Sequence, residues 1–190
     1  MRRAMQYLVD KGLIVRRRGI GTRVVQPTVR RPLELTSLHE DLVRSGQDPR
    51  TVVLALDVVR AEGRLADVLR LGTGAEVLRI DRLRSAGDLP IARLTNFLPP
   101  HLADLDRHAL EEHGLYALLR DRGVRLHSAT QTVGARTATA AEARLLQEAP
   151  RAALLTMERI TYDDHGSVVE WGTHLYAASR YALEIDLLSP

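Results

Sequence analysis

Cysteine is absent from this 190-residue chain. That excludes a disulfide framework, a thiolate metal site and a cysteine nucleophile. Lysine is almost absent too: Lys11 stands beside 26 arginines, so no arginine can be taken as a chosen phosphate ligand on identity alone. No apolar run approaches the ~18–20 residues needed to span a bilayer. The N-terminus has no apolar signal core and is basic and amphipathic instead, which makes the cytoplasm the expected address and a membrane an unexpected partner. The seven histidines are scattered without metal-ligand spacing, so neither a metal nor another cofactor is expected.

What is present is a lopsided distribution of charge. Residues 1–31 hold nine basic side chains against the single Asp10, a net of +8, whereas the rest of the chain holds 18 basic and 23 acidic side chains, a net of −5. A basic head on a mildly acidic body points to a contact at the N-terminus with a nucleic acid, double-stranded DNA included, or with an anionic surface. An ordinary solvated run of charge is the plainer alternative. With 45% apolar residues, the chain suits one good-sized domain plus a fragment.

Within the head, residues 2–11 read as a short helix with Ala4, Leu8 and Lys11 on one face, stopped at Gly12. "LIVRRR", "GIG" and "TRVVQP" follow as strand, tight turn and returning strand. Arg2 and Arg3 would enter a major groove at the start of the helix, with Gln6 a turn further on. The hairpin carrying Arg16, Arg17, Arg18 and Thr22 would lie over the neighbouring backbone. Gly19 and Gly21 would allow the close main-chain approach. "PTVRRP", residues 27–32, reads as a proline-bounded linker.

From residue 33 to 190 the pattern alternates. Helices are expected over 35–46, with Thr36 or Ser37 as N-cap, over 114–124, and after Thr137 or Thr139. A shorter helix is expected in "EGRLADVLRLGTG". Strands are expected over 50–61, in the hairpin "AEVLRIDRLRSAGDLPIARLTNFLPP", in "RLHSATQTVGAR", and in two final segments meeting at "DDHG". The fold class is therefore α+β, a mostly antiparallel sheet with helices between strand pairs.

"RRAMQYLVDKGLIVRRRGIGTRVV" closely resembles the recognition helix and wing of the GntR family of winged helix-turn-helix regulators. Arg2, Arg3, Ala4, Leu8, Gly12, Leu13, Ile14, Arg16, Gly19, Gly21, Thr22 and Val24 match without a gap. The resemblance implies that residues 1–26 are the C-terminal part of a DNA-binding domain whose earlier helices are missing here. A start codon assigned too late or a truncation would each account for that. Ala4, Leu8 and Leu13 then lack partners, and the expectation is weak or no DNA binding by this chain alone.

The body, through "LTSLHEDLVRSGQDPRTVVL", "VLRIDRLRSAGDLPIARLTNFLP", "GLYALLRDRGVRLHSATQTVGA" and "ITYDDHGSVVEWGTHLYAASRYAL", resembles the UTRA effector domain of the HutC subfamily, which shares the chorismate lyase fold. That resemblance implies an effector held by Ser37, His39, Arg82, Arg84, Tyr116, Glu170 and Tyr176. The chemistry agrees. Arg82 and Arg84 lie two apart on a strand, hence on one face, and can grip a phosphate or carboxylate. Glu170 and Tyr176 share a face likewise, and the helix start at Ser37 is a natural anion seat. Plainer readings stand beside these: the arginines could pair with Asp81 or Glu76, Glu170 could satisfy one of them, Tyr116 could be core, and Trp171 packing.

Three departures from the subfamily matter. Leu94 replaces a frequent Glu, Gly114 a frequent Ser, and "AASRY" keeps only Arg180 and Tyr181 of its usual ending. Losing a buried acceptor at Leu94 puts a more apolar carboxylate or phosphate on an equal footing with an amino-sugar phosphate. The implied function is a transcriptional regulator, a repressor by type, that changes its DNA affinity when a sugar phosphate, amino acid or carboxylate binds a homodimer. A truncated ligand receiver and an enzyme on a lyase-like scaffold are the alternatives. No catalytic residue is assigned.

Overall fold

The computed structural model describes residues 14–17, 21–24, 29–31 and 35–184. The expected helix over 2–11, with Arg2, Arg3 and Gln6, lies outside them, as do Arg18 and Gly19 at the hairpin tip. The hairpin strands are present as β1 (Ile14–Arg17) and β2 (Gly21–Val24), paired antiparallel with Arg16 opposite Thr22 and Arg17 opposite Gly21.

A six-stranded antiparallel sheet forms the body, in the order β4-β5-β6-β9-β8-β7. Its strands are β4 (Pro49–Arg60), β5 (Glu76–Ala86), β6 (Leu89–Leu98), β7 (Leu126–Thr137), β8 (Ala153–Asp163) and β9 (Val168–Ala177). The β5–β6 turn falls in "AGDLP", where Gly87 takes φ +56° and donates its N–H to the Asp48 carbonyl at 2.7 Å. A side chain at that left-handed position would be strained.

Helices α1 (Leu38–Arg44), α3 (Arg107–Glu112) and α4 (Leu115–Asp121) cover one face, and α2 (Arg64–Leu69) and α5 (Ala140–Leu145) partly cover the other. Ser37 caps α1 through a reciprocal capping box with Glu40, and Thr139 caps α5 through another with Glu142. Glu40 also accepts from Arg120, tying α1 to α4.

Two apolar clusters sit beneath the first set of helices. Leu78, Ile80, Leu98, Leu110 and Leu119 fill the space under α3 and α4. Leu38, Leu42, Ile91, Leu94 and Tyr176 fill that under α1. Each fully buried leucine contributes roughly 1.5–3 kcal/mol. Across the sheet Trp171 stacks on Phe97 at 5.4 Å, packing as its position opposite Glu170 suggests.

Three features differ from the sequence reading. Helix α3 has no counterpart there, although Asp106 caps it by accepting from Ala109 N–H at 3.0 Å. The last predicted strand is interrupted, and Tyr181–Leu183 form a separate β10. The segment read as a linker contains β3 (Val29–Arg31), which pairs in parallel with β10, Val29 opposite Tyr181. A pairing between segments so far apart in sequence has no local signature.

Arg180, just before β10, is buried and donates to the carbonyls of Pro90, Leu146 and Gln147 at 2.6–2.8 Å. It thereby serves the C-terminal end of α5. The retained Arg180 is in this way a structural residue, and the retained Tyr181 is buried at the start of β10.

Candidate functional site

Between the two apolar clusters the covered face of the sheet turns polar. Alternation along β5 sends Arg82 and Arg84 to this side, while Asp81 points to the other and pairs with Arg93 at 2.5 Å and Arg79 at 3.4 Å. The suggested arginine–Asp81 pairing is thus made by different arginines. Arg82 donates to Asn96 Oδ1 at 2.7 Å, and Asn96 Nδ2 donates to Glu170 Oε1 at 2.5 Å. Thr161 and Tyr116 donate to Glu170 Oε2 at 2.9 and 3.1 Å. Glu170, fully buried, is the centre of this network and makes no direct hydrogen bond to either arginine. Burial, and secondarily the Glu170 charge, push the Tyr116 hydroxyl well above its ordinary pKa, so it stays a donor.

Arg84 donates to Nδ1 of His39, on the first turn of α1, at 2.6 Å. A guanidinium has no acceptor, so that ring nitrogen must be unprotonated. Burial first, then the Arg84 charge, bring His39 down to about 4. The two guanidiniums are themselves lowered by burial, Arg82 to about 10 and Arg84, with Arg82 beside it, to about 9. The Nε groups of both are buried without a hydrogen-bond partner. Each such orphan costs about 1–3 kcal/mol.

A cavity of about 30 Å³ lies against Arg82, Asn96 and Tyr116, walled further by Ser37, Leu38, Leu94, Leu115, Arg159 and Tyr176; Arg84 and His39 stand next to it, outside its lining. It is large enough for about one water. The structure thus brings Ser37, His39, Arg82, Arg84, Tyr116, Glu170 and Tyr176 into one connected neighbourhood. It adds Asn96, Thr161, Arg159 and His174, which the sequence reading did not single out. Alternation would have placed Asn96 on the face of Leu94, and Thr161 on that of Arg159.

Glycines make room for the network. A Cβ at Gly172 would stand 2.5 Å from Glu170 Oε1, and one at Gly114 would stand 2.7 Å from Ser37 Oγ. The second contact gives the Gly114 departure a reason: the bare backbone leaves the Ser37 cap undisturbed.

A larger concavity, about 440 Å³, lies on the opposite face between β6 and β7. Its arginines already carry carboxylates, Arg93 with Asp81 and Arg136 with Glu142 at 2.7 Å. Size favours that hollow, but unmet chemistry favours the smaller one. Among the described residues no cluster of His, Asp and Glu is placed to hold a metal, and no helix is long and apolar enough to cross a membrane.

The UTRA domain model matches residues 44–182. The chain belongs to the UTRA domain family. Curated relatives include the HTH-type transcriptional repressor NagR of Bacillus subtilis, 29% identical over 95% of this chain and 75% of the relative. The repressor PhnF of Mycolicibacterium smegmatis is 30% identical over 95% and 74%. The crystal structure of PhnF from Mycobacterium smegmatis superimposes with a TM-score of 0.82 at 27% identity, covering all of this chain and 84% of that one. A solved chain from Streptomyces coelicolor, described as a transcriptional regulator, is 50% identical over 76% of this chain and 97% of its own, with a TM-score of 0.70. This UTRA protein is accordingly a GntR-family transcriptional regulator with the antiparallel effector-domain fold, and its UTRA domain implies a response to a bound effector.

His39 gives this UTRA domain a pH signature. Its folded pKa of about 4 lies below the ordinary 6.5, so the unfolded chain takes up the proton first. The stability it contributes is complete above pH 6.5 and is lost as pH falls toward 4. His39→Gln keeps an acceptor for Arg84 without titrating. Melting temperatures at pH 7 and pH 5 should fall less for the variant than for the parent. Equal losses would remove His39 from the account.

Proposed function

We propose that residues 33–190 receive a small anionic metabolite, a sugar phosphate, amino acid or carboxylate, against Arg82 and Arg84. Residues 1–26 then form the part of the DNA-binding domain that meets the operator, through Arg2, Arg3, Gln6, Arg16, Arg17, Arg18, Gly19, Gly21 and Thr22. Residues 27–32 join the two. The protein acts as a repressor, as a homodimer in the cytoplasm, and no catalytic step is assigned to the site.

The observation that carries the effector half is the pair of buried guanidiniums with orphaned Nε donors, on a face where Glu170 supplies the one buried carboxylate within the network. An anion with two oxygens would meet both donors. Leu38, Leu94 and Leu115 give the ligand an apolar wall.

Regulation follows from the fit. A drug-sized ligand needs roughly 300 Å³ or more, against a cavity of about 30 Å³. The effector therefore binds an opened arrangement of α1 and α4 and shifts the population toward it. Tyr176 in the cavity wall stacks on Tyr181 at 4.1 Å, and Tyr181 stands opposite Val29 in the β10–β3 pair. That contact supplies a physical route from the site to the segment leading to the head.

The test is a thermal-shift panel of sugar phosphates, amino acids and mono- and dicarboxylates on the purified chain. A native-state binder at 100 times its Kd adds about 2.7 kcal/mol, and the expected rise is about 5–10 °C for a protein this size. A rise with neutral sugars and none with anions would defeat the anion reading.

A further inference from the structure

Arg84 carries five N–H donors and is almost wholly buried, yet its one described hydrogen-bond partner is Nδ1 of His39, at 2.6 Å. Among the described residues no carboxylate pairs with it. An ionised oxygen is the stronger acceptor for a guanidinium. The neutral ring nitrogen therefore fills a place that suits an anion better.

His39 rides on the first turn of α1 and is half-buried. Gly114, the N-cap of α4, faces it with bare backbone: a Cβ there would stand 3.3 Å from that of His39. No side chain at that position keys α1 to α4 beside the ring. The charged and titratable groups that face His39 are Arg84 and Arg82 on β5, Glu40 on its own helix and His113 just before α4. Burial first, then Arg84, with smaller pushes from His113 and Arg82, keeps the ring neutral against the pull of Glu40.

We propose that His39 is a stand-in acceptor for Arg84: an effector oxygen replaces its Nδ1, and the freed ring takes a proton from water and donates to the same anion. This rests on the anion site of the proposed function and adds its regulation, since effector capture becomes coupled to proton uptake. Arg84 keeps all its protons and turns its donors to the anion. The bound anion cancels the guanidinium charges and the shift of α1 admits water, so the chief reasons for a neutral ring go and Glu40 favours the cation. Between about pH 4 and pH 6.5 the complex then holds up to one proton more than the free protein. Affinity rises as pH falls across that window.

Inorganic sulfate tests this, because its double charge is constant from pH 5.5 to pH 7.5, with chloride at matched ionic strength as control. The full chain is titrated by NMR and the His39 ring signals are followed with and without sulfate. The His39 midpoint should move from about 4 to about 6 or above when sulfate is bound. The sulfate dissociation constant should fall about tenfold from pH 7.5 to pH 5.5. In His39→Gln it should not change with pH, and His113→Gln should keep the parent's slope. The ring signal of the parent reads the coupling even where a variant folds poorly. Sulfate binding that Arg84→Met abolishes, but with an unmoved His39 midpoint and a flat pH profile, would overturn the proton coupling and leave the anion site standing. Sulfate binding unaffected by Arg84→Met, or no binding at all, would remove both.

Discussion

Glu170→Ala is expected to lower the stability of the body by about 3–5 kcal/mol, the usual cost of stripping one partner from a buried ionic network. The carboxylate is fully buried and accepts from Asn96, Thr161 and Tyr116. Its removal takes the shared acceptor from three donors, leaving Asn96 to His174 and Tyr116 and Thr161 to each other, and leaves Arg82, whose charge Glu170 supports, with Asn96 as its hydrogen-bond acceptor. The melting temperature should drop by on the order of 10 °C. Glu170→Gln keeps the shape and half of the acceptors, so it should lose markedly less. Calorimetry of both variants checks the reading: an alanine variant within about 1 kcal/mol of the parent would mean that the network is not what holds the sheet face together.

Arg84→Met should act in the opposite direction. Arg84 is almost wholly buried, its described polar partner is His39, and burial holds its guanidinium down to about 9. Replacing a poorly compensated buried charge with an apolar side chain of similar length is often neutral or stabilising, by about 1–4 kcal/mol. The ligand-free variant should therefore melt higher by a few degrees. The same change removes one of the two donors proposed to receive the anion, so on that proposal the rise produced by an anionic effector should vanish. Stability gained and response lost together would mark a residue kept for ligand binding at the expense of the fold. A ligand-free variant that melts several degrees lower would instead show Arg84 already satisfied without an effector.

Much of this was legible in the chain because period-two alternation is a local signal. It marks the β5–β6 and β8–β9 hairpins and puts Arg82 with Arg84, and Glu170 with Tyr176, on shared faces. It cannot say which strands become neighbours. Asn96 reaches Glu170, 74 positions further along the chain, because β9 docks beside β6, a choice made by the whole sheet. Arg159 and Thr161 join the site for the same reason. His39 was legible as a helix-start residue but not as an acceptor for a guanidinium, which depends on the tertiary approach of α1 to β5. Helix α3 had a readable cap at Asp106, yet it is only six residues long, too short for a periodic pattern to stand out.

The parallel bond between β3 and β10 has a consequence for biosynthesis. Val29–Arg31 are translated before all six strands of the sheet, and their partner Tyr181–Leu183 after them. Until Tyr181–Leu183 are made, Val29–Arg31 have no β10 to pair with, and by then all six strands of the sheet have been translated. Nascent chains that stall short of residue 181 would thus leave Val29–Arg31 without their parallel partner, and only longer ones could close that pair.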